Sequence, residues 1–251
     1  AVAARVIRAA AALDWPADRL DAQVLDDSDD ETRTLVDEEV GRLLRAGVRA
    51  TVVRRGSREG FKAGGLAAGL ERSTSEFVAV FDADAGPERD FLRRMLPSLL
   101  EDPSIALAQA RWTFLNREDS PLTRAQAALL EALMCVEQAG ASDEGRPFQF
   151  NGTAGVWRRS AIEAAGGWRG ASVAEDLDLS FRAQLAGFRL VHRVDVAAAT
   201  ELPASWRAFR SQQARWSTGN VQVLRLLGGR IAGSPLPAGA RLSMGLHLAR
   251  R

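Results

Sequence analysis

The stretch Val80-Phe81-Asp82-Ala83-Asp84-Ala85-Gly86 sets two carboxylates one residue apart at the end of an apolar run, Glu76 to Phe81. A run of that length reads as a buried strand. Strand side chains alternate between faces, so Asp82 and Asp84 are expected to point the same way. Two like charges on one side need a counter-charge. A divalent cation with oxygen ligands supplies it, and a diphosphate completes the shell that two carboxylates leave open. A polar strand end whose acids accept turn amides ahead of Gly86 is the plainer alternative.

Working outward, strands and helices alternate. Ala22 to Leu25 reads as a strand running into Asp26-Asp27-Ser28-Asp29-Asp30. Thr32 to Ala46 has helical spacing of Leu35, Val36, Val40, Leu43 and Leu44, with Gly47 as its stop. Strand 48–53, helix 61–70, helix 88–100 and strand 105–114 continue the pattern. It predicts an α/β/α sandwich around a mostly parallel central sheet, with ligands at the carboxyl ends of the strands, where both acidic clusters fall. The second half is less regular. It reads as an amphipathic helix over 122–139 with Cys135 in its core, a strand over 148–157 broken at Asn151-Gly152, a helix over 175–186, a strand over 190–196 and a long helix over 205–227.

Composition narrows the chemistry. The 251 residues are 46% hydrophobic, enough for a substantial core, and 33 basic against 32 acidic residues give net +1, so no global field favours nucleic acid. Cys135 is the only cysteine, which rules out an internal disulfide and a cysteine zinc site. His192 and His247 lie far apart, so carboxylates are the expected chemists. Lys62 is the sole lysine in a chain that otherwise uses arginine. The first residues alternate arginines with small apolar residues, unlike a signal peptide, and no apolar run approaches the roughly 18 residues a membrane span needs.

Candidate sites follow from these segments, each with a duller explanation. Asp27, or Asp26, could accept from a nucleobase or ribose, whereas the acids of this run also suit helix capping. Lys62, beside Gly60, Gly64 and Gly65 at a helix start, could meet phosphate, or be a solvated surface lysine. Glu175 and Asp176 open a helix, where the dipole would keep a carboxylate ionised and ready to take a proton; ordinary N-terminal charge preference also accounts for them. Gln212 and Arg215 share a helix face with Trp216 beside them, suited to a diphosphate and a sugar ring, or to core packing with polar neighbours.

In order, LDDSDD, FKAGG, FDAD, FNGTAGVWR, AEDLDLSFRAQLAGF and QQARW resemble the processive family 2 glycosyltransferases, the cellulose synthase-like and glucomannan synthase-like enzymes. The resemblance implies a GT-A nucleotide-sugar fold over 1–227, with a nucleotide-sugar half (1–114) and an acceptor half (115–227). It implies an inverting transfer of a hexose from a UDP- or GDP-sugar to a β-linked polysaccharide with Mg²⁺ or Mn²⁺. It assigns Asp26 or Asp27, Lys62 and Asp82 to the nucleotide, Asp84 and Asp82 to the metal, and Asp176 with Glu175 to catalysis. Gln212, Arg215 and Trp216 fall to the diphosphate and acceptor, and Asn151 and Gly152 to the acceptor border. Ala174 stands where the family usually has Thr, and the family's first strand and later membrane helices are not in this sequence. The expectation is therefore a cytoplasmic catalytic region of a membrane-embedded synthase, with 228–251 as a basic membrane-proximal tail. The alternatives are a haloacid dehalogenase-like phosphatase using Asp82, for which Gly86 is the wrong residue, and a nucleotide-sugar-binding module without catalysis.

Overall fold

The computed structural model describes residues 2–249; Arg250 and Arg251 of the expected basic tail lie outside it. Helix α1 (Val2–Ala11) presents Ile7 to helix α2 (Thr32–Arg45), which answers with Val36 and Val40. The buried Glu39 on α2 accepts from both Arg8 and Arg42, an arrangement that holds its carboxyl down at about 2. Strands β1 (Ala22–Leu25) and β2 (Ala50–Val53) pair in parallel, Ala22 opposite Ala50 and Leu25 opposite Val53. Helix α3 (Phe61–Glu71) lies close on β1 because it is rich in Gly and Ala. A Cβ at Gly69 would come within 2.8 Å of the Leu25 side chain.

The main sheet has the order β3 (Phe77–Val80), β6 (Gly155–Arg158), β5 (Ile105–Phe114), β7 (Arg189–Thr200), β4 (Gly86–Pro87). Strands β5 and β7 are parallel, and β3 runs the same way because β6 is antiparallel to both β3 and β5. The expected common direction therefore holds for β3, β5 and β7. The hydrogen-bonded neighbours are mixed, since β6 is inserted between β3 and β5 and β4 pairs antiparallel at the edge.

Alternating side chains divide the core into two layers. Leu107 of β5 and Trp157 of β6 face α3, α7 (Arg159–Ala164) and α8 (Glu175–Leu185), packing on Leu66, Ile162 and Leu179. Ala108, Ala110 and Val156 face α4 (Phe91–Glu101), which buries Phe91, Met95 and Leu99 at helical spacing. This is the α/β/α sandwich expected from the alternation of elements.

Beyond β5, α5 (Pro121–Ala132) starts in a capping box between Ser120 and Thr123 and continues through a π-helical turn, Leu133–Gln138, into α6 (Ala139–Asp143). The π turn shifts the helical register. Met134 and Gln138 are buried, and Cys135, expected in the core, is exposed. The expected long strand 148–157 is reduced to β6, because 148–151 hydrogen-bond to side chains of other elements: Phe150 N–H to Ser180 Oγ at 2.8 Å and Asn151 N–H to Gln109 Oε1 at 3.1 Å. The last two helices, α9 (Trp206–Ala232) and α10 (Ala238–Ala249), pack with α8 through Phe181, Val223, Leu227, Met244 and Leu248. The stretch 228–249 is thus largely helical. Among the described residues no helix is long and apolar enough to cross a membrane.

Candidate active site

Strand β3 ends at Val80, and Asp82 to Ala85 form a turn closed by Ala85 N–H to Asp82 O at 3.0 Å. Strand alternation therefore does not align the two acids; the turn sets them. Its start is fixed by Asp82 N–H donating to Thr153 Oγ1 at 2.8 Å, and Ala154 N–H donates to Val80 O at the same distance. The segment before β6 thereby lies against the carboxyl end of β3.

The sole lysine enters at this junction. Lys62 Nζ donates to Asp82 Oδ1 at 2.5 Å and to Gly152 O at 2.9 Å, and stands 3.7 Å from Glu175 Oε1. Burial alone would lower its ammonium, but the charges of Asp82 and Glu175 outweigh that and raise it. Gly152 has φ 86°, and a Cβ there would meet Asp176 Oδ2 at 3.1 Å and Lys62 Nζ at 3.4 Å. A bare glycine is what lets the lysine, from the first half of the chain, approach the acids of α8, from the second.

Asp176 occupies the first turn of α8. Its Oδ1 accepts from Leu177 N–H at 2.8 Å, and its own carbonyl accepts from Ser180 Oγ at 2.6 Å. Its carboxyl is pushed up to about 7, by burial first and by the Glu175 charge second, against the pull of Lys62. The helix dipole was expected to keep this acid readily ionised; desolvation and a like charge win instead. A carboxyl in that range exchanges protons near neutrality.

Asp84 is also raised, by burial and then by the negative charge of Asp82, with Glu201 adding to it and the Thr200 hydroxyl opposing it. This charge-crowded pair has the hard oxygen chemistry that suits Mg²⁺ or Mn²⁺. Among the described residues no set of three His, Cys, Asp or Glu side chains is assembled for a metal, so further oxygens would have to come from elsewhere.

Asp26 and Asp27 sit at a separate corner. Continuing the β1–β2 register by two residues sets Arg54 beside Asp26 and Arg55 beside Asp27. Arg54 Nη2 is 2.7 Å from Asp26 Oδ2, and Arg55 Nε donates to Asp27 Oδ1 at 3.1 Å. Burial would raise Asp26, but its bonds from Ser28 and Arg54 hold it below the usual carboxylate range. Arg55 also donates to the carbonyls of Glu59 at 2.7 Å and Phe61 at 2.9 Å, tying this corner to the start of α3 and so to Lys62. These two arginines were missed from sequence; the signal was the parallel register, invisible until the strands are paired.

Asn151 is locked in a reciprocal amide pair with the buried Gln138 of the π turn, at 2.8 and 3.0 Å, and Gln149 Oε1 meets His247 Nε2 of α10 at 2.6 Å. Gln212, Arg215 and Trp216 lie on α9, which runs past the start of α8: a Cβ at Gly219 would come within 2.5 Å of Ala174 Cβ, and Val173 N–H donates to Gln222 Oε1 at 2.8 Å. Among the described residues no hydrogen bond or ion pair joins Gln212 or Arg215 to the acidic group around Lys62.

The family described as Glycosyltransferase like family 2 matches residues 1–219. The chain belongs to this family. Two similar members are Glucomannan 4-beta-mannosyltransferase 2 of Arabidopsis thaliana, 47% identical over 223 residues, and Glucomannan 4-beta-mannosyltransferase 1 of Oryza sativa subsp. japonica, 45% identical over 223 residues. Each alignment takes in 87% of this chain but 42% and 43% of the relative, so the chain spans less than half the length of the curated relatives it matches. Among solved structures, the mannosyltransferase PcManGT from Pyrobaculum calidifontis, in complex with GDP-Man and Mn²⁺, superposes with a TM-score of 0.69 at 21% identity, over 100% of this chain and 77% of that one. TarS 1–349 of S. aureus in complex with UDP-GlcNAc gives 0.70 at 16% identity, over 98% and 67%. The GT-A fold expected from the sequence is thus the fold of the family member at hand. A phosphatase built on Asp82 finds no support, since the family match and the shared fold both lead to glycosyltransferases.

Proposed function

We propose that this chain is the catalytic domain of an inverting glycosyltransferase that moves a hexose from a nucleoside diphosphate sugar onto a growing β-linked polysaccharide. The observation that carries the reading is Asp176: a half-buried carboxyl near neutrality, facing Lys62 across Gly152, with Asp82 on the same ammonium. The glucomannan 4-beta-mannosyltransferase relatives favour a mannosyl donor and a β-1,4 product, and the GDP-Man held by PcManGT favours GDP as the carrier.

In this mechanism Asp176 takes the proton of an acceptor hydroxyl as that oxygen attacks the anomeric carbon and the bond to the diphosphate breaks, which inverts the configuration. Glu175 keeps Asp176 basic through its charge. Asp26 or Asp27 with Lys62 and Asp82 hold the nucleotide, and Asn151 and Gly152 border the acceptor. Gln212, Arg215 and Trp216 on α9 serve the departing diphosphate and the sugar face. Asp84 and Asp82 would hold Mg²⁺ or Mn²⁺, which when bound supplies positive charge to the leaving diphosphate. The residues fit such an ion, because Asp84 and Asp82 crowd negative charge into a partly buried turn. In the longer protein this domain lies at the cytoplasmic face of a membrane. The exposed Leu226, Leu242 and Leu246 on α9 and α10 are in keeping with an apolar neighbour.

The test is a donor panel. The longest natural form of the protein, in membranes, is offered GDP-mannose, GDP-glucose, UDP-glucose and UDP-GlcNAc with Mn²⁺, and the product's sugar and linkage are determined. Transfer from a GDP-hexose into a β-linked, glycosidase-sensitive product is expected. Release of sugar without transfer, or an α-linked product, would overturn the reading.

A further inference from the structure

Lys62 is unusual in its company. It is the one lysine of the chain, and its ammonium makes all three of its short contacts inside the site: Asp82 Oδ1 at 2.5 Å, Gly152 O at 2.9 Å and Glu175 Oε1 at 3.7 Å. The two arginines that follow β2 are committed elsewhere, Arg54 to Asp26 and Asp37, Arg55 to Asp27 and two backbone carbonyls. Positive charge is therefore shared unevenly within the acidic turn. Asp82 holds an ammonium, whereas Asp84 has no basic side chain bonded to it among the described residues.

We infer that Lys62 is a tethered counter-cation that occupies Asp82 until donor arrives, so that a divalent metal binds only together with the diphosphate. The inference rests on the metal-dependent reading proposed above. Asp82 Oδ1 already accepts from an ammonium at 2.5 Å, and a second positive charge brought to the same carboxylate is repelled by the first over a few ångströms. A diphosphate resolves the conflict: it offers Lys62 new anionic oxygens and supplies the ligands that Asp82 and Asp84 lack. Lysine suits this exchange and arginine does not. Its compact ammonium on a flexible four-carbon stem changes partner by rotating the stem, while the planar five-donor fork of arginine would remain bidentate on the carboxylate. Gly152 leaves the room, since its missing side chain is what lets Nζ lie where it does.

The device makes a specific demand: metal alone should bind weakly because Lys62 is there, not because ligands are few. Free Mn²⁺ is titrated into the chain at pH 7.5 and followed by its aqueous electron paramagnetic resonance signal, with and without GDP, for wild type, Lys62→Met, Lys62→Gln and Lys62→Arg. Circular dichroism confirms that each variant is folded, and two neutral variants guard against loss of one. Without GDP, the neutral variants are expected to bind Mn²⁺ about tenfold or more tighter than wild type, and Lys62→Arg to stay as weak as wild type. With GDP, wild type binds Mn²⁺ tightly and the neutral variants lose that gain, because the phosphate's partner is gone. Asp84→Asn abolishes tight Mn²⁺ binding in every background. If the neutral variants bind free Mn²⁺ no better than wild type while wild type with GDP binds it tightly, the tethered-cation inference is wrong and the metal site stands. If wild type with GDP binds no Mn²⁺, the metal-dependent reading falls and takes this inference with it.

Discussion

Replacing Asp176 with Asn should abolish transfer and at the same time stabilise the fold above neutral pH. The second effect is what distinguishes a functional acid from a structural one. The ordinary aspartate value is 3.8 and Asp176 lies at about 7. A carboxyl raised on folding binds its proton more tightly in the native state than in the unfolded one. Between pH 4 and pH 7 the native state therefore carries the extra proton, and stability falls as pH rises, levelling off above about 7. At 1.36 kcal/mol per pH unit the full penalty is about 4 kcal/mol. Asn cannot ionise, and its side-chain oxygen can still accept from Leu177 N–H as Asp176 does now.

Urea unfolding of the chain at pH 4, 5, 6, 7 and 8 measures this directly. The gap between Asp176→Asn and wild type is expected to start near zero at pH 4, widen by about 1.4 kcal/mol per pH unit and flatten above neutrality. The kinetic counterpart is kcat/KM for the donor in the longest natural form of the protein, which reports the free enzyme's essential base. It should fall about tenfold per pH unit below 7, to roughly a tenth of its plateau at pH 6. A stability gap independent of pH would show that Asp176 is not held protonated by its surroundings. Full turnover by Asp176→Asn would remove it from the mechanism.

Three further outcomes are expected. Asp178 of α8 forms a buried pair with Arg182, whose Nη2 lies 2.6 Å from Asp178 Oδ2 and also donates to Gly167 O at 2.8 Å; Asp178→Ala strands that guanidinium and should cost about 3–5 kcal/mol in urea unfolding. His192 is buried with neither ring nitrogen partnered among the described residues, and burial lowers it from 6.5 to about 4; the unfolded chain takes up a proton first as pH falls, so about 3 kcal/mol should be lost between pH 6.5 and 4 in wild type and not in His192→Phe. Gly152→Ala places a methyl 3.1 Å from Asp176 Oδ2 at a φ of 86°; kcat should drop at least about tenfold, for a misplacement of this size near reacting groups, with far-UV circular dichroism unchanged.

Local patterning was enough to read most elements of the fold, because their signals lie within a few residues: the apolar spacing of α2, the apolar run of β3, the glycines at the start of α3. What failed failed for non-local reasons. Cys135 was expected in a helix core, and the π turn over Leu133–Gln138 breaks the α-helical spacing and leaves it at the surface. The 148–151 segment has the composition of a strand but bonds to the side chains of Gln109, Ser180 and Gln184 instead of to the backbone of a neighbouring strand. At the site, the residue types were legible but their electrostatics were not. The dipole argument pointed to a readily ionised Asp176, and only burial beside Glu175 reveals the opposite shift. The pairing of Arg54 and Arg55 with Asp26 and Asp27 needed the β1–β2 register.

The substitution of Ala174 for the family's usual Thr has a local consequence in this packing. Gly219 on α9 stands where a Cβ would be only 2.5 Å from Ala174 Cβ, so the two helices approach at a point where neither side has room for another atom. A threonine at 174 would push its extra methyl or hydroxyl toward α9, and α9 carries Gln212, Arg215 and Trp216 one to two turns upstream of that contact. Ala174→Thr is therefore expected to shift α9 away from α8 and to alter the proposed diphosphate end of the site without touching Asp176. That should show as a raised KM for donor with the acidic limb of kcat/KM still near 7. An unchanged KM would mean that the Gly219 contact does not set the position of α9. A displaced acidic limb would mean that α9, and not only Glu175 and Lys62, sets the basicity of Asp176.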